Sequence, residues 1–259
     1  MSDLGQILNS HTIRFERLLP GPIERVWHYI TSPEGIAEWL YAEAIVEQRS
    51  GGRIVLKFAE KDPESRHLYK VRGIVSECVA PKLIAYTWFE TSVDLTSKVR
   101  FELEERGDQV ALTITHSYIC AEFMPKVGAG WHSHLEALAA VLRGEKPGDF
   151  MPLYEQLFKT YSAALAAGII VSATISPAIA SPTDPAYRVL KDQRQELLRQ
   201  YDKLWKEADE IKSEIDQLKR DTHQDTTRAQ NDLEHELQYK NDDLHRVELD
   251  VHNLDKSMI

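Results

Sequence analysis

The chain has 259 residues, of which 42% are hydrophobic and 28% are charged, and its formal net charge is −10. This composition is typical of a globular protein with a charge-rich helical part, and the acidic excess argues against a nucleic-acid partner, since phosphate backbones require basic charge. The two cysteines, Cys78 and Cys120, form neither a disulfide framework nor metal-ligand spacing. With no signal-peptide pattern in the first residues, we expect a reducing, cytoplasmic setting, no metal and no other cofactor.

The chain opens with a strand followed by two short helices. Residues 11–18 alternate as a strand does, and Pro20-Gly21-Pro22 then interrupts the pattern. Residues 23–29 place apolar side chains on one helical stripe, and Ser32-Pro33-Glu34 has the form of a second helix start.

A run of strands comes next. After Gly51-Gly52 the apolar period changes to two residues, which predicts β-structure. Gly107-Asp108 is a plausible hairpin turn between the last two of these strands. Because the strands follow one another with short turns, we expect an antiparallel sheet. The predicted strands cover residues 54–58, 69–76, 83–90, 98–104 and 109–118.

Two helices end this part of the chain, over residues 130–143 and 153–165. The first carries an apolar stripe at three- and four-residue steps, and Gly144 is well placed to end it. The simplest way to bury this stripe is a curved sheet folded around the helix. The expected class is therefore α+β, with a first domain over residues 1–160.

A segment rich in Ala, Ser and Pro joins this domain to the C-terminal part, over residues 161–186, and it carries no charged residue from Tyr161 to Thr183. Residues 161–180 are apolar enough to be a weak candidate for a membrane-spanning helix. However, Pro177 interrupts the segment, and neither end has a basic cluster or a tryptophan belt. A helical extension that runs into a linker is the preferred interpretation.

Residues 187–259 have the pattern of a long coiled-coil helix, with no Gly or Pro and with apolar residues at steps of four and three. A homodimer through this helix is the preferred prediction. The polar stretch 219–232 leaves open a second one, an antiparallel hairpin in which the helix bends back on itself. The predicted seam comprises Tyr201, Leu204, Ala208, Ile211, Ile215, Leu218, Leu237, Leu244, Val247, Val251 and Leu254.

Five sequence blocks in the first domain point to a family. They are GPIERVWHYITSPEGIAEWL (21–40), GGRIVLKF (51–58), GIVSECVAPKLIAYTWFE (73–90), SKVRFELEERGDQVALTITHS (97–117) and GAGWHSHLEALAAVLRGEKPG (128–148). In this order and spacing they resemble the Hsp90-ATPase-activator-homologue branch of the START-like (SRPBCC, helix-grip) superfamily. The resemblance covers about residues 11–160 and does not extend into the C-terminal helix.

The resemblance implies a helix-grip fold, in which a curved antiparallel sheet holds a long helix with a cavity between them. It does not imply one activity, because members include ligand carriers, lipid-transfer domains, cyclases and a co-chaperone domain. The expected cavity residues are Trp27, Trp39, Tyr69, Tyr86, Trp88, His116 and Trp131. The same aromatic residues could equally fill an ordinary core.

The titratable residues give little support to catalysis. We see no phosphate loop, no Ser-His-Asp set and no reactive cysteine, and His116 is more simply a structural histidine than a proton shuttle. His132 and His134 lie two apart on a helix, and we expect them to face solvent or to cap the helix. The favoured hypothesis is a non-enzymatic protein that binds a hydrophobic small molecule or a protein surface, and whose coiled coil dimerises or docks. A cavity enzyme of cyclase or hydrolase type and an Hsp90-type co-chaperone or stress-related module are the alternatives.

Overall fold

The computed structural model of the chain describes residues 4–58, 70–90, 95–166, 185–220 and 227–258. Its internal contacts divide the chain into two compact units, Met1–Ile175 and Ser176–Ile259.

The first unit is built on one antiparallel sheet of eight strands, in the order β1-β2-β8-β7-β6-β5-β4-β3. Five of the strands lie where the run of period-two segments predicts them, and β2 covers nearly the same residues as the first predicted strand. The two strands that the prediction lacks, β1 and β3, are the two edges of the sheet. The strands are β1 (Gln6–Asn9), β2 (Thr12–Pro20), β3 (Ala42–Val46), β4 (Arg53–Phe58), β5 (Lys70–Val79), β6 (Leu83–Glu90), β7 (Leu95–Arg106) and β8 (Gln109–Ser117).

The strand register aligns the core-facing side chains in rows across the sheet. His116 in β8 is paired with Ile13 in β2 and with Val99 in β7. Val99 is in turn paired with Tyr86 in β6. Every second residue of β8 is buried, and His116 is the last of that series, so strand periodicity alone directs its ring into the core.

Two short helices follow β2. Helix α1 (Ile23–Thr31) buries the predicted apolar stripe. Helix α2 (Pro33–Leu40) begins at an N-cap serine, Ser32, whose Oγ accepts a hydrogen bond from the Gly35 amide at 3.0 Å. Pro33 occupies the first helical position, where its missing N–H leaves no helical hydrogen bond unmade.

The helix that packs on the sheet is α3 (Met124–Leu142), which starts six residues before the predicted position and follows a 3-10 turn at Ala121–Phe123. Leu135 and Leu138 on its apolar stripe are fully buried. Replacing either by Ala is expected to cost about 2–5 kcal/mol, because apolar burial is lost and the surroundings relax only partly into the space left. A last helix, α4 (Phe150–Ala166), packs against α3. The α+β helix-grip prediction is confirmed.

Within the described residues, the structure has no helix that is both long and apolar enough to cross a membrane. Of the candidate segment 161–180, residues 161–166 belong to α4 and the remainder lies outside the described residues.

The second unit contains two helices, α5 (Pro185–Arg220) and α6 (Thr227–Met258), which pack along each other. Ion pairs join Glu207 to Lys240 and Lys219 to Glu234. A residue further along α5 is thus paired with one nearer the start of α6, so the two helices are antiparallel. This corrects the expected single helix over residues 187–259 and corresponds to the hairpin alternative.

All eleven residues of the predicted seam are at least partly shielded from solvent. Six of its residues are buried, namely Tyr201, Ala208, Ile211, Ile215, Leu244 and Val251. Five are half-buried, namely Leu204, Leu218, Leu237, Val247 and Leu254. The structure adds buried Leu198 and Trp205 from α5 and one buried polar residue from α6, Asn241.

Candidate functional site

A cavity of about 420 Å³ lies between the sheet and helix α3. One wall comes from the ends of β4, β6, β7 and β8, a second from the segment after β8 and the start of α3, and a third from the start of α4. Its lining is mostly aromatic and aliphatic, as in small-molecule pockets. The lining residues are Leu40, Phe58, Trp88, Glu90, Ser97, His116, Tyr118, Ile119, Cys120, Phe123, Lys126, Val127, Gly130, Trp131, His134, Phe150 and Tyr154.

Two tryptophans meet where the sheet faces α3. The rings of Trp88 and Trp131 are 5.4 Å apart at an interplanar angle of 60°. Behind them, Tyr86 stacks on Trp88 at 6.4 Å and Phe101 packs edge-on against Trp131 at 5.7 Å. Edge-to-face and offset contacts of this kind hold aromatic rings in fixed orientations. This wall of the cavity is therefore shaped before any ligand arrives.

A chain of hydrogen bonds runs through the same wall. The indole N–H of Trp131 donates to Nδ1 of His116 at 2.8 Å. An indole can only donate, so Nδ1 carries no proton and Nε2 carries the proton of the neutral ring. His116 Nε2 lies 2.7 Å from Ser97 Oγ, and the Ser97 hydroxyl donates to the Trp88 carbonyl oxygen at 3.2 Å. Each donor in this series of hydrogen bonds therefore has an acceptor.

Burial determines the protonation state of His116. The loss of water around the ring lowers the pKa of His116 to about 3, so the imidazole is neutral near pH 7. Its Nδ1 lone pair is occupied by the Trp131 N–H, and its proton is directed at Ser97. Ser97 therefore donates to a carbonyl and receives the His116 proton, which is the opposite of the arrangement in which a histidine base activates a serine nucleophile.

A second histidine lines the cavity from α3. Nδ1 of His134 lies 3.1 Å from the carbonyl oxygen of Trp39, at the end of α2. Burial lowers the pKa of His134 to about 4. Its ring contacts Phe150 at a centroid distance of 4.6 Å and Tyr41 at 5.9 Å.

The start of α4 supplies the opposite wall. Phe150, Tyr154 and Phe158 lie four residues apart, so their side chains share one face of the helix. Phe150 stacks on Tyr154 at 5.7 Å, and Tyr154 on Phe158 at 6.4 Å, with rings nearly parallel in both pairs. Phe150 and Tyr154 both line the cavity.

Three of the seven expected cavity residues lie on the cavity wall, namely Trp88, His116 and Trp131. Tyr86 is one layer behind it. Trp27 and Trp39 are buried residues of α1 and α2, and their indole N–H groups donate to Gln48 Oε1 and to the Tyr29 carbonyl oxygen, respectively. Tyr69 lies outside the described residues.

The expectation that His132 and His134 face solvent or cap the helix is wrong, because both lie within α3, where His132 is buried and His134 is half-buried. His132 is 2% exposed, and its Nδ1 lies 3.3 Å from the hydroxyl of Tyr161 in α4. Burial, together with the nearby Arg17 cation, lowers the pKa of His132 to about 4. Helix α3 is covered by the sheet on one side and by α4 on the other, so histidines two residues apart can both be shielded from solvent, His132 fully and His134 in part.

Sequence reasoning missed the contributions of His134, of α4 and of the segment after β8. The Phe150-Tyr154-Phe158 spacing was a signal for an aromatic helix face. Nothing local indicated that this face closes a cavity, because that depends on how α4 packs on α3.

Comparison with known proteins is consistent with this architecture. Residues 20–143 match the model of the family described as Activator of Hsp90 ATPase homolog 1-like protein. No curated protein matches the chain.

Among solved structures, the solution structure of the protein encoded by gene BPP1335 from Bordetella parapertussis is 33% identical, with a TM-score of 0.51. That match covers 60% of this chain and 86% of the other. The crystal structure of CalU16 from Micromonospora echinospora is 21% identical over 60% of this chain and 88% of that one, with a TM-score of 0.47. The protein CV1439 from Chromobacterium violaceum is 25% identical over 51% of this chain and 96% of that one, with a TM-score of 0.45. The family match and the Bordetella relative together show that the chain belongs to the Activator of Hsp90 ATPase homolog 1-like family of the START-like (SRPBCC) superfamily.

Proposed function

We propose that the first unit is a non-enzymatic binding domain that holds a hydrophobic small molecule in the cavity between the sheet and α3. The observation that carries this proposal is the cavity itself, about 420 Å³ in volume and walled by aromatic rings. This volume falls in the range of roughly 300–1,000 Å³ that is usual for small-molecule pockets. A ligand that replaces water against these rings gains the free energy of apolar burial.

The polar groups on the sheet side of the cavity support binding over catalysis. His116, the best acid–base candidate in the sequence, has both ring nitrogens in hydrogen bonds. General base catalysis needs a lone pair within reach of the substrate proton and a pKa near the working pH. His116 has a pKa of about 3 and donates its only proton to Ser97. The role of these hydrogen bonds is thus to fix the shape of the cavity wall on the sheet side.

Gly130 offers a direct test, because it lines the cavity and a Cβ atom built on it meets nothing within 4 Å. Gly130 lies inside α3, and leucine and alanine both have a higher helix propensity than glycine. Gly130→Leu should therefore fill the cavity from a helix that stays folded. Gly148→Leu is the matched control, since a Cβ at Gly148 also meets open space and Gly148 does not line the cavity.

The measurement is a fluorescence titration with the dye anilinonaphthalene sulfonate, together with native mass spectrometry of the purified proteins for any retained molecule. The unchanged protein and Gly148→Leu should bind the dye alike, and Gly130→Leu should bind it at least about tenfold more weakly. Gly130→Ala, which adds one methyl group, should give an intermediate result and serves if the leucine variant does not fold. Dye binding that is equal in all four proteins would overturn the proposal.

A further inference from the structure

One polar atom on the cavity wall, Nε2 of His134, lies outside the series of hydrogen bonds around His116. The carbonyl oxygen of Trp39 can only accept, so the ring nitrogen of His134 that faces it, Nδ1, must carry the proton. The ring is neutral near pH 7, because burial lowers the pKa of His134 to about 4. Nε2 of His134 therefore has a lone pair and acts as a hydrogen-bond acceptor.

No described residue donates a hydrogen bond to this Nε2. The neighbours of the His134 ring are the rings of Trp39, Tyr41 and Phe150. Since His134 lines the cavity and its other nitrogen is engaged, Nε2 is the polar atom that it can offer to a ligand. The Trp39 carbonyl fixes the tautomer, so the acceptor is in place before binding.

The surroundings of His134 restrict what can use this acceptor. Phe150 lies 4.6 Å from the His134 ring, and Tyr154 stacks on Phe150 in turn. Such faces favour a planar aromatic partner, which packs on them in offset or edge-on contact. An acceptor that a bound ligand covers without donating to it is left unsatisfied, and this penalises ligands that cannot donate.

We infer that the cavity selects planar aromatic molecules carrying a hydroxyl or N–H group, of phenol or indole type, which donate a hydrogen bond to Nε2 of His134 while the ring packs against Phe150 and Tyr154. The inference rests on the proposed function, because it names the ligand class of the same cavity. His134 is then the residue that determines specificity, and Trp39 positions it through its carbonyl group.

The test compares β-naphthol with its methyl ether, which has the same ring system and no donor. Calorimetric titration of the unchanged protein should show β-naphthol binding about three- to tenfold more tightly than the ether, as one neutral hydrogen bond implies. His134→Phe keeps a planar ring without the acceptor and should bring the two affinities to about the same value. The control His28→Phe, on an exposed histidine of α1, should keep the preference for β-naphthol.

His134→Gln is a second variant, in case the phenylalanine variant does not fold. Its side-chain oxygen can stand where Nε2 stands, so it should retain part of the preference. Equal affinity of the two probes for the unchanged protein, or an undiminished preference in His134→Phe, would overturn this inference and leave the proposed function intact. Binding of the dye without binding of either probe would also overturn it. Failure of both probes and of the dye would overturn the proposed function as well.

Discussion

The indole N–H of Trp131 donates to Nδ1 of His116 over 2.8 Å, across the contact between helix α3 and strand β8. This bond joins the helix to the sheet at the point where the cavity begins. It also determines the tautomer of His116, and with it the direction of the hydrogen bonds to Ser97 and to the Trp88 carbonyl oxygen. One polar contact thus orients four residues of the site.

Trp131→Phe should destabilise the domain by more than the loss of ring area alone. The variant leaves Nδ1 of His116 buried without a donor, which costs about 1–3 kcal/mol. Trp27→Phe is the matched control, because it makes the same change of ring where the indole N–H donates to the part-buried side chain of Gln48. Urea unfolding of both variants measures the difference, and equal losses of stability would contradict the prediction.

Acid should destabilise the first unit between about pH 6.5 and pH 4. Burial lowers the pKa of His116 to about 3 and the pKa values of His132 and His134 to about 4, whereas the unfolded chain titrates near pH 6.5. In this window the unfolded chain binds more protons than the folded one, so the free energy of unfolding falls as the pH falls.

Each of these histidines contributes at most about 1.4 kcal/mol per pH unit to this slope. Urea midpoints measured across the window give the slope, and His134→Gln should lower it by about one third. A stability that does not change between about pH 6.5 and pH 4 would show that the three rings are not held neutral.

The sequence predicts the centre of the fold better than its borders. The alternation in β8 and the stripe of α3 are local patterns, and β8 lies where it was expected, whereas α3 begins six residues before its predicted start. The missed strands, Gln6–Asn9 and Ala42–Val46, are the edges of the sheet. An edge strand is defined by pairing with a single neighbour, so it needs little apolar pattern of its own.

The site was predictable to a similar extent. Trp88, His116 and Trp131 lie on strands and a helix whose apolar periodicity predicts which side chains face the core. Phe150 and Tyr154 reach the cavity through the packing of α4 on α3, which no local pattern specifies. His134 needs both this packing and the carbonyl group of Trp39, which lies 95 residues earlier in the chain.

Asn241→Leu should stabilise the helical hairpin. Asn241 is 2% exposed, and its Oδ1 has no hydrogen-bond partner among the described residues. Replacing it by an apolar residue of similar size removes an unsatisfied acceptor, for an expected gain of about 1–3 kcal/mol. Asn231→Leu is the matched control, since Asn231 is exposed on the same helix and should change stability by less than about 0.5 kcal/mol. Thermal unfolding followed by circular dichroism distinguishes them, and an equal or negative shift for Asn241→Leu would refute the prediction.

The full chain should be a monomer at micromolar concentration. A homodimer was predicted because the apolar stripe of residues 201–254 needs a partner helix. In the structure one chain already buries much of this stripe, with Tyr201 2% and Ile215 3% exposed, and the neighbouring Trp205 is 1% exposed. Size-exclusion chromatography with light scattering should report about 29.7 kDa. A mass of twice this value would show that a surface other than the seam associates.

The hairpin also sets a threshold for any exchange of helices between chains. Because α5 and α6 belong to one polypeptide and adjoin in sequence, each experiences the other at an effective concentration in the millimolar range. A helix from a second molecule would have to exceed that concentration, or bind the seam more tightly, in order to displace it. At ordinary cellular concentrations of a single protein, competition by mass action therefore favours the closed hairpin.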